Sequence, residues 1–150
     1  MRVYISGPLG ASPDLLAARE LYEKVASTAL DAGLQPYLPH MHTDPERAGH
    51  IEAADVYRHD LAALNTADVI VAHVGIPSTG VGAELALAAG AGMTIVGIAR
   101  AEEAVSRFAA GLITENGGHL LRFDDDTDLR AQLHGHLAAV VQSRRDRLAS

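Results

Sequence analysis

Apolar positions along the chain fall into two alternating regimes. Short, almost continuous apolar runs read as strands, and longer stretches with apolar residues three and four apart read as helices. The strand set is Arg2 to Ser6, Leu34 to Leu38, Asp68 to Val74, Thr94 to Ala99 and Leu120 to Phe123. The helix set is Leu15 to Ala32, Ala53 to Asn65, Val81 to Ala91, Glu102 to Ala110 and Leu129 to about Arg147. Ser12 and Asp14 supply a start for the first helix and Gly33 a stop. The segment from Pro39 to about Gly49, rich in His, Pro and Asp, is predicted as a loop.

Strict alternation of strand and helix predicts an α/β domain with a parallel sheet covered on both faces. The third and fourth strands are nearly all apolar, which places them centrally. Pro36 cannot donate to a sheet ladder and puts the second strand at an edge. The expected architecture is a single flavodoxin-like (Rossmann-like) three-layer domain over residues 1–150, with five parallel strands in the order 2-1-3-4-5. In that order ligands bind at the carboxyl ends of strands one and three. Two glycine-bearing loops fall there, Gly7-Pro8-Leu9-Gly10 and Gly75 to Gly82.

The second of these loops reads Pro77-Ser-Thr-Gly-Val-Gly-Ala-Glu84 and leads straight into a helix. Free N–H groups at a helix entrance attract an anion, and glycines let it approach the backbone. Glu84, in the first turn, is a candidate nucleophile or base held ionised by the helix dipole. First-turn Glu is also common for dipole reasons alone. Asp60 is a second candidate acid, with Tyr57 one turn earlier on the same face; a solvated helical acid is the plain alternative. Tyr4 points off the first strand, where a core role is the ordinary one. His40, His42 and Asp44 alternate in what reads as an extended segment, and with His50, His59 or His73 could bind a metal. The spacing matches no strong metal signature, so His40 is placed on a polar pocket rim and no metal is expected. Gly80-Val-Gly82 matches only part of a dinucleotide fingerprint and follows the wrong strand.

Composition narrows the partners. The 150 residues carry a net charge of −7 and only one basic run, Arg144-Arg145-Asp146-Arg147, which argues against binding a nucleic-acid polymer. No cysteine is present, so thiolate and Cys-zinc chemistry are excluded. The opening residues read as a strand rather than a signal peptide, and no apolar run is long enough to span a membrane. A cytoplasmic enzyme or binding module is expected.

Asp60-Leu-Ala-Ala-Leu-Asn-Thr-Ala-Asp68, followed by Ser78-x-Gly80-x-Gly82-x-Glu84, resembles the nucleoside 2-deoxyribosyltransferase superfamily. The likeness extends from Val3-Tyr-Ile-Ser-Gly-Pro8 to about Arg107. Within it the chain is most similar to the 2'-deoxynucleoside 5'-monophosphate N-hydrolases and to a branch that hydrolyses cytidine monophosphates. The resemblance implies that Glu84 attacks the anomeric carbon. Asp60 would orient the sugar or protonate the leaving base, and Tyr4 would be the active-site tyrosine. Gly7 would be the binding-site glycine after the first strand, Ser78, Gly80 and Gly82 would form the loop that holds the 5'-phosphate, and Ser106 would be lent to that phosphate by a neighbouring subunit of a homodimer. No cofactor is implied. The N-hydrolases usually carry an arginine just after the first-strand glycine; Gly7-Pro8-Leu9-Gly10-Ala11 has none, leaving Arg19 or Arg58 as substitutes. Base exchange by a deoxyribosyltransferase and nucleotide sensing without turnover are the alternatives.

Overall fold

The computed structural model describes residues 1–150. In chain order the elements are β1 (Arg2–Ser6), α1 (Leu15–Asp31), β2 (Gln35–Tyr37), α2 (His40–Thr43), α3 (Ala53–Leu64), β3 (Val69–His73), α4 (Thr79–Gly90), β4 (Thr94–Arg100), α5 (Arg107–Glu115), β5 (His119–Phe123) and α6 (Asp126–Ala149). The five strands form one parallel sheet in the order β2-β1-β3-β4-β5, as the alternation predicts. Pro36 does lie on the edge strand.

Side chains alternate across the pleat and divide the interior in two. Val3, Ile5, Val69, Val71, Val96 and Ile98 face a core shared with α1 and α6. Tyr4, Ile70, Ala72 and Ile95 face the other way, into a core closed by Leu64 of α3, Val81 and Leu85 of α4 and Ile113 of α5. Helices therefore cover both faces. No helix is long and apolar enough to cross a membrane.

Local chemistry sets the boundaries. Asp14 caps α1 through the Ala17 N–H at 2.9 Å, and Gly33 ends it at φ +90°, a backbone conformation that costs a glycine little. Four expectations shift. The last helix begins at Asp126 rather than Leu129, behind the Asp125 cap. The His-rich segment is not wholly a loop, because residues 40–43 make a turn of helix. Helix α4 starts two residues earlier than expected, behind the Ser78 cap, so its first turn holds no acid and Glu84 falls in the second turn rather than the first, where the helix dipole is weaker. Helix α5 lies at 107–115 rather than 102–110, because Glu103 turns back to accept the Arg100 N–H and Ser106 then caps a fresh start.

Candidate active site

Strands β1 and β3 are in register up to Ser6 opposite Ala72, so their carboxyl ends finish level with each other. The Gly7 and Gly75 loops leave adjacent strands there, and α4 brings Glu84 against the Tyr4 and Ser6 face of β1.

Tyr4 and Ser6 are two residues apart on β1 and so share a face. Tyr4 donates its hydroxyl to Glu84 Oε1 at 2.7 Å, and Ser6 donates to Glu84 Oε2 at 2.5 Å. Such short bonds to an ionised acceptor are the strong kind. Each carboxylate oxygen keeps a further lone pair. Burial pushes the Glu84 carboxyl above its usual value, Asp60 adds to this by like-charge repulsion, and the two hydrogen bonds work against both. Tyr4 is fully buried; burial and the nearby Glu84 carboxylate raise it far out of the physiological range, so it remains a donor.

Asp60, on the second half of α3, lines one cavity with Glu84, together with Tyr57, Leu61, Gly80 and Leu87. Its carboxyl is also raised, by burial first; longer bonds from Thr43 (3.3 Å) and Tyr37 (3.5 Å) oppose the shift. Tyr37 is itself pushed up to about 12, mainly by burial. Its ring lies between Tyr4 at 5.5 Å and His42 at 5.0 Å, the latter pair within 5° of parallel. Three stacked rings thus run from Glu84's donor to an exposed histidine beside Asp60.

The entrance of α4 is built loosely. Ser78 caps it by accepting from the Val81 N–H at a long 3.4 Å. A β-carbon at Gly82 would meet nothing within 4 Å, and one at Gly80 only Ser78 Oγ at 3.9 Å; neither glycine has positive φ. Glycine in a helix costs roughly 1 kcal/mol relative to alanine. Neither protein packing nor backbone conformation accounts for this pair, whereas open space over the first helical turn is what a ligand needs. Gly7 is different, since a β-carbon there would collide with the Tyr22 ring at 2.2 Å.

The structure thus brings Tyr4, Asp60, Gly80 and Glu84 together, with Ser78 and Gly82 at the same helix entrance. Ser106 lies apart, exposed, at the cap of α5, accepting from the Ala109 N–H at 3.5 Å. His40 is buried against Glu23 of α1 at 3.3 Å and has no bond to Glu84 or Asp60; two residues on, His42 stacks on Tyr37 near Asp60. The alternation argument for a metal fails because residues 40–43 are helical, and no three His, Asp or Glu side chains converge to hold a metal ion. Arg19 and Arg58 are both engaged. Arg19 makes a two-pronged bond to Asp44, at 2.7 Å on each prong, and Arg58 pairs with Asp55 one turn away. Sequence reasoning missed Ser6, Tyr37 and Thr43. For Ser6 a signal existed, since strand alternation puts it beside Tyr4.

Comparison with solved structures places the fold among known enzymes. A CMP N-glycosidase from Clostridium botulinum superposes with a TM-score of 0.70 at 16% identity, covering 91% of this chain and 99% of that one. A conserved protein from Enterococcus faecalis gives 0.70 at 18% identity, covering 91% and 98%. A 2-deoxyribosyltransferase from Bacillus psychrosaccharolyticus gives 0.62 at 18% identity, covering 89% and 96%. No curated protein sequence matches the chain at a significant level. The model of the nucleoside 2-deoxyribosyltransferase family matches residues 3–133, nearly the whole domain, and the chain belongs to that family.

Proposed function

We propose that this protein is an N-glycosidase that releases the base from nucleoside 5'-monophosphates, with Glu84 as nucleophile and Asp60 as acid. The observation that carries this is the half-buried Glu84 carboxylate, tied on both oxygens by Tyr4 and Ser6 beside an open, glycine-lined helix entrance. Cleavage of an N-glycosidic bond builds positive charge on the anomeric carbon and negative charge on the departing base. A Glu84 oxygen bonds to that carbon while the carbon–nitrogen bond breaks, and the electron pair leaves with the base. Asp60, whose burial favours its protonated form, supplies the proton. Water then hydrolyses the glycosyl ester. The 5'-phosphate is received by Ser78 and the free N–H groups of the first turn of α4. A homodimer completes the site, each subunit lending Ser106.

A second reading, base exchange between deoxynucleosides, is favoured by the absence of an arginine from residues 7–11 and by the engagement of Arg19 and Arg58 elsewhere. The test is incubation of the chelator-treated protein with nucleosides and their monophosphates, cytidine monophosphate first among them. Free base from monophosphates alone supports hydrolysis. A new nucleoside formed only when a second base is added supports transfer. Tight binding with no turnover identifies a sensing module.

A further inference from the structure

Behind the crevice lies a buried polar chain that the proposed chemistry does not use. His73, the last residue of β3, is 2% exposed. Its Nδ1 lies 2.9 Å from the Tyr22 hydroxyl of α1, and its Nε2 lies 2.8 Å from Glu103 Oε2. Glu103 also accepts the Arg100 N–H at 2.7 Å, and Arg122 donates to both the Glu103 and Arg100 carbonyls. Burial works against the Glu103 charge, but the bonds from His73 and Arg100 outweigh it and hold the carboxyl below its usual value. An ionised carboxylate only accepts, so His73 Nε2 carries the proton that points to it. In the neutral ring Nδ1 then accepts from Tyr22, which stays protonated because burial raises its hydroxyl. The chain is fully satisfied, with no buried side-chain polar atom left unpaired.

Both ends of the chain press on the loops that form the crevice. The Tyr22 ring fills the space that a side chain at residue 7 would occupy, 2.2 Å from that β-carbon position. The Glu103 carboxylate fills the corresponding space at residue 75, at 1.8 Å. Gly7 directly follows Ser6, the donor to Glu84 Oε2. Gly75 opens the loop that leads through Ser78 into α4, which carries Glu84. The same chain therefore touches the supports of both partners in the Ser6–Glu84 bond. We propose that Tyr22, His73 and Glu103 are positioning residues: a brace between α1 and the β4 exit that sets Ser6 against Glu84 by fixing the Gly7 and Gly75 loops.

A network that merely staples the fold would change stability and leave the Glu84 environment alone. The discriminating readout is the titration of the Glu84 carboxyl, followed by carbon-detected NMR in the wild type, Tyr22→Phe and His73→Leu. Glu84 is faced by Tyr4, Ser6 and Asp60, and none of these is altered. Loosening the Ser6 bond removes a donor to the ionised form, so the Glu84 midpoint should rise by about half a pH unit or more in His73→Leu. Tyr22→Phe should shift it in the same direction and by less. Tyr22→Phe keeps the ring under Gly7 and removes a single hydroxyl, so it serves where His73→Leu does not fold. An unchanged midpoint in a folded variant overturns the proposal. The kinetic arm rests on the N-glycosidase reading. There kcat should fall roughly ten- to a hundredfold with KM nearly constant, as a misplaced reacting group requires. Loss in KM alone also overturns the brace. If the wild type turns over no nucleotide yet the midpoint moves, the brace stands and the assigned reaction is wrong.

Discussion

Glu84 and Asp60 place two acids in one small cavity, and each is pushed towards its neutral form by burial. A carboxyl whose folded value is raised stabilises the fold below its unfolded value. That advantage is lost as pH rises through the folded value. At neutral pH the pair therefore opposes folding, as reactive groups held out of water do. Glu84→Gln keeps the size of the side chain and removes its charge. It should abolish base release and raise the melting temperature at neutral pH, with the stability gain vanishing once the medium is acid enough to protonate Glu84 in both states. Thermal melts across pH beside a turnover assay check both halves. Asp60→Asn should keep the fold and lose most turnover, because the amide holds no transferable proton; near-wild-type rates would remove Asp60 from the role of acid. The pattern placed Glu84 at a glycine-rich helix entrance, whereas Asp60 and Tyr4 entered as candidates through the family resemblance, since by pattern alone a helical acid and a strand tyrosine are ordinary. Tyr37, Thr43 and His42 were not, since a turn of helix and a three-residue edge strand carry too little periodicity to say which side chains converge on Asp60.

Two elements around the site do double duty, and each can be tested. Ser78 is both the cap of α4 and the proposed phosphate donor. Its bond to Val81 is long, so Ser78→Ala should cost stability near the low end of the usual 0.5–2 kcal/mol for a lost cap. The same variant should weaken monophosphates by about ten- to a hundredfold more than the matching nucleosides, the loss expected for a hydrogen bond to a charged group. Calorimetric titration of both ligand classes reads the difference, and equal losses would mean that this entrance holds no phosphate. The second element is the segment after α2. Asp44 is buried, accepts both prongs of Arg19, and also takes the N–H groups of Glu46 and Arg47. The Arg19 guanidinium holds its carboxyl well below the usual carboxylate range. A depressed folded value contributes stability above the unfolded value and loses it as pH falls towards the folded one. Asp44→Asn removes the two-pronged partner of the buried Arg19 and leaves it only the exposed Glu46 at 3.0 Å, so stability should fall at neutral pH, with a flatter acid limb in denaturant melts. Turnover should fall as well, because Asp44 directly follows Thr43, which donates to Asp60.

At the scale of the whole molecule, sheet order was readable from strand and helix alternation together with Pro36, because a parallel sheet with short crossovers permits few topologies. What the single chain leaves open is the mouth of its own site. The cavity that holds Asp60 and Glu84 encloses about 150 Å³, well under the roughly 300 Å³ at which small-molecule pockets begin. At that mouth Tyr57 and Leu87 are 60% and 45% exposed, and on α5, apart from it, Phe108, two residues beyond Ser106, is 81% exposed. Large apolar side chains standing in water at the mouth of an undersized site and on α5 are what a second copy of the chain would cover, and the proposed lending of Ser106 requires such a contact. The expected outcome is a homodimer whose specific activity falls on dilution below its dissociation constant and returns on concentration. Phe108→Glu puts a charge into that contact without touching Glu84, Asp60 or their donors. It should yield a folded monomer with greatly reduced turnover. Mixing it with an excess of inactive Glu84→Gln subunits tests whether the dimer is functional or incidental. If sites are shared, activity should appear only in those mixed dimers where an intact Glu84 meets an intact partner surface. Sedimentation at the assay concentration reads the association state directly. A monomer with full activity at every dilution would leave each chain complete in itself and remove Ser106 from the site.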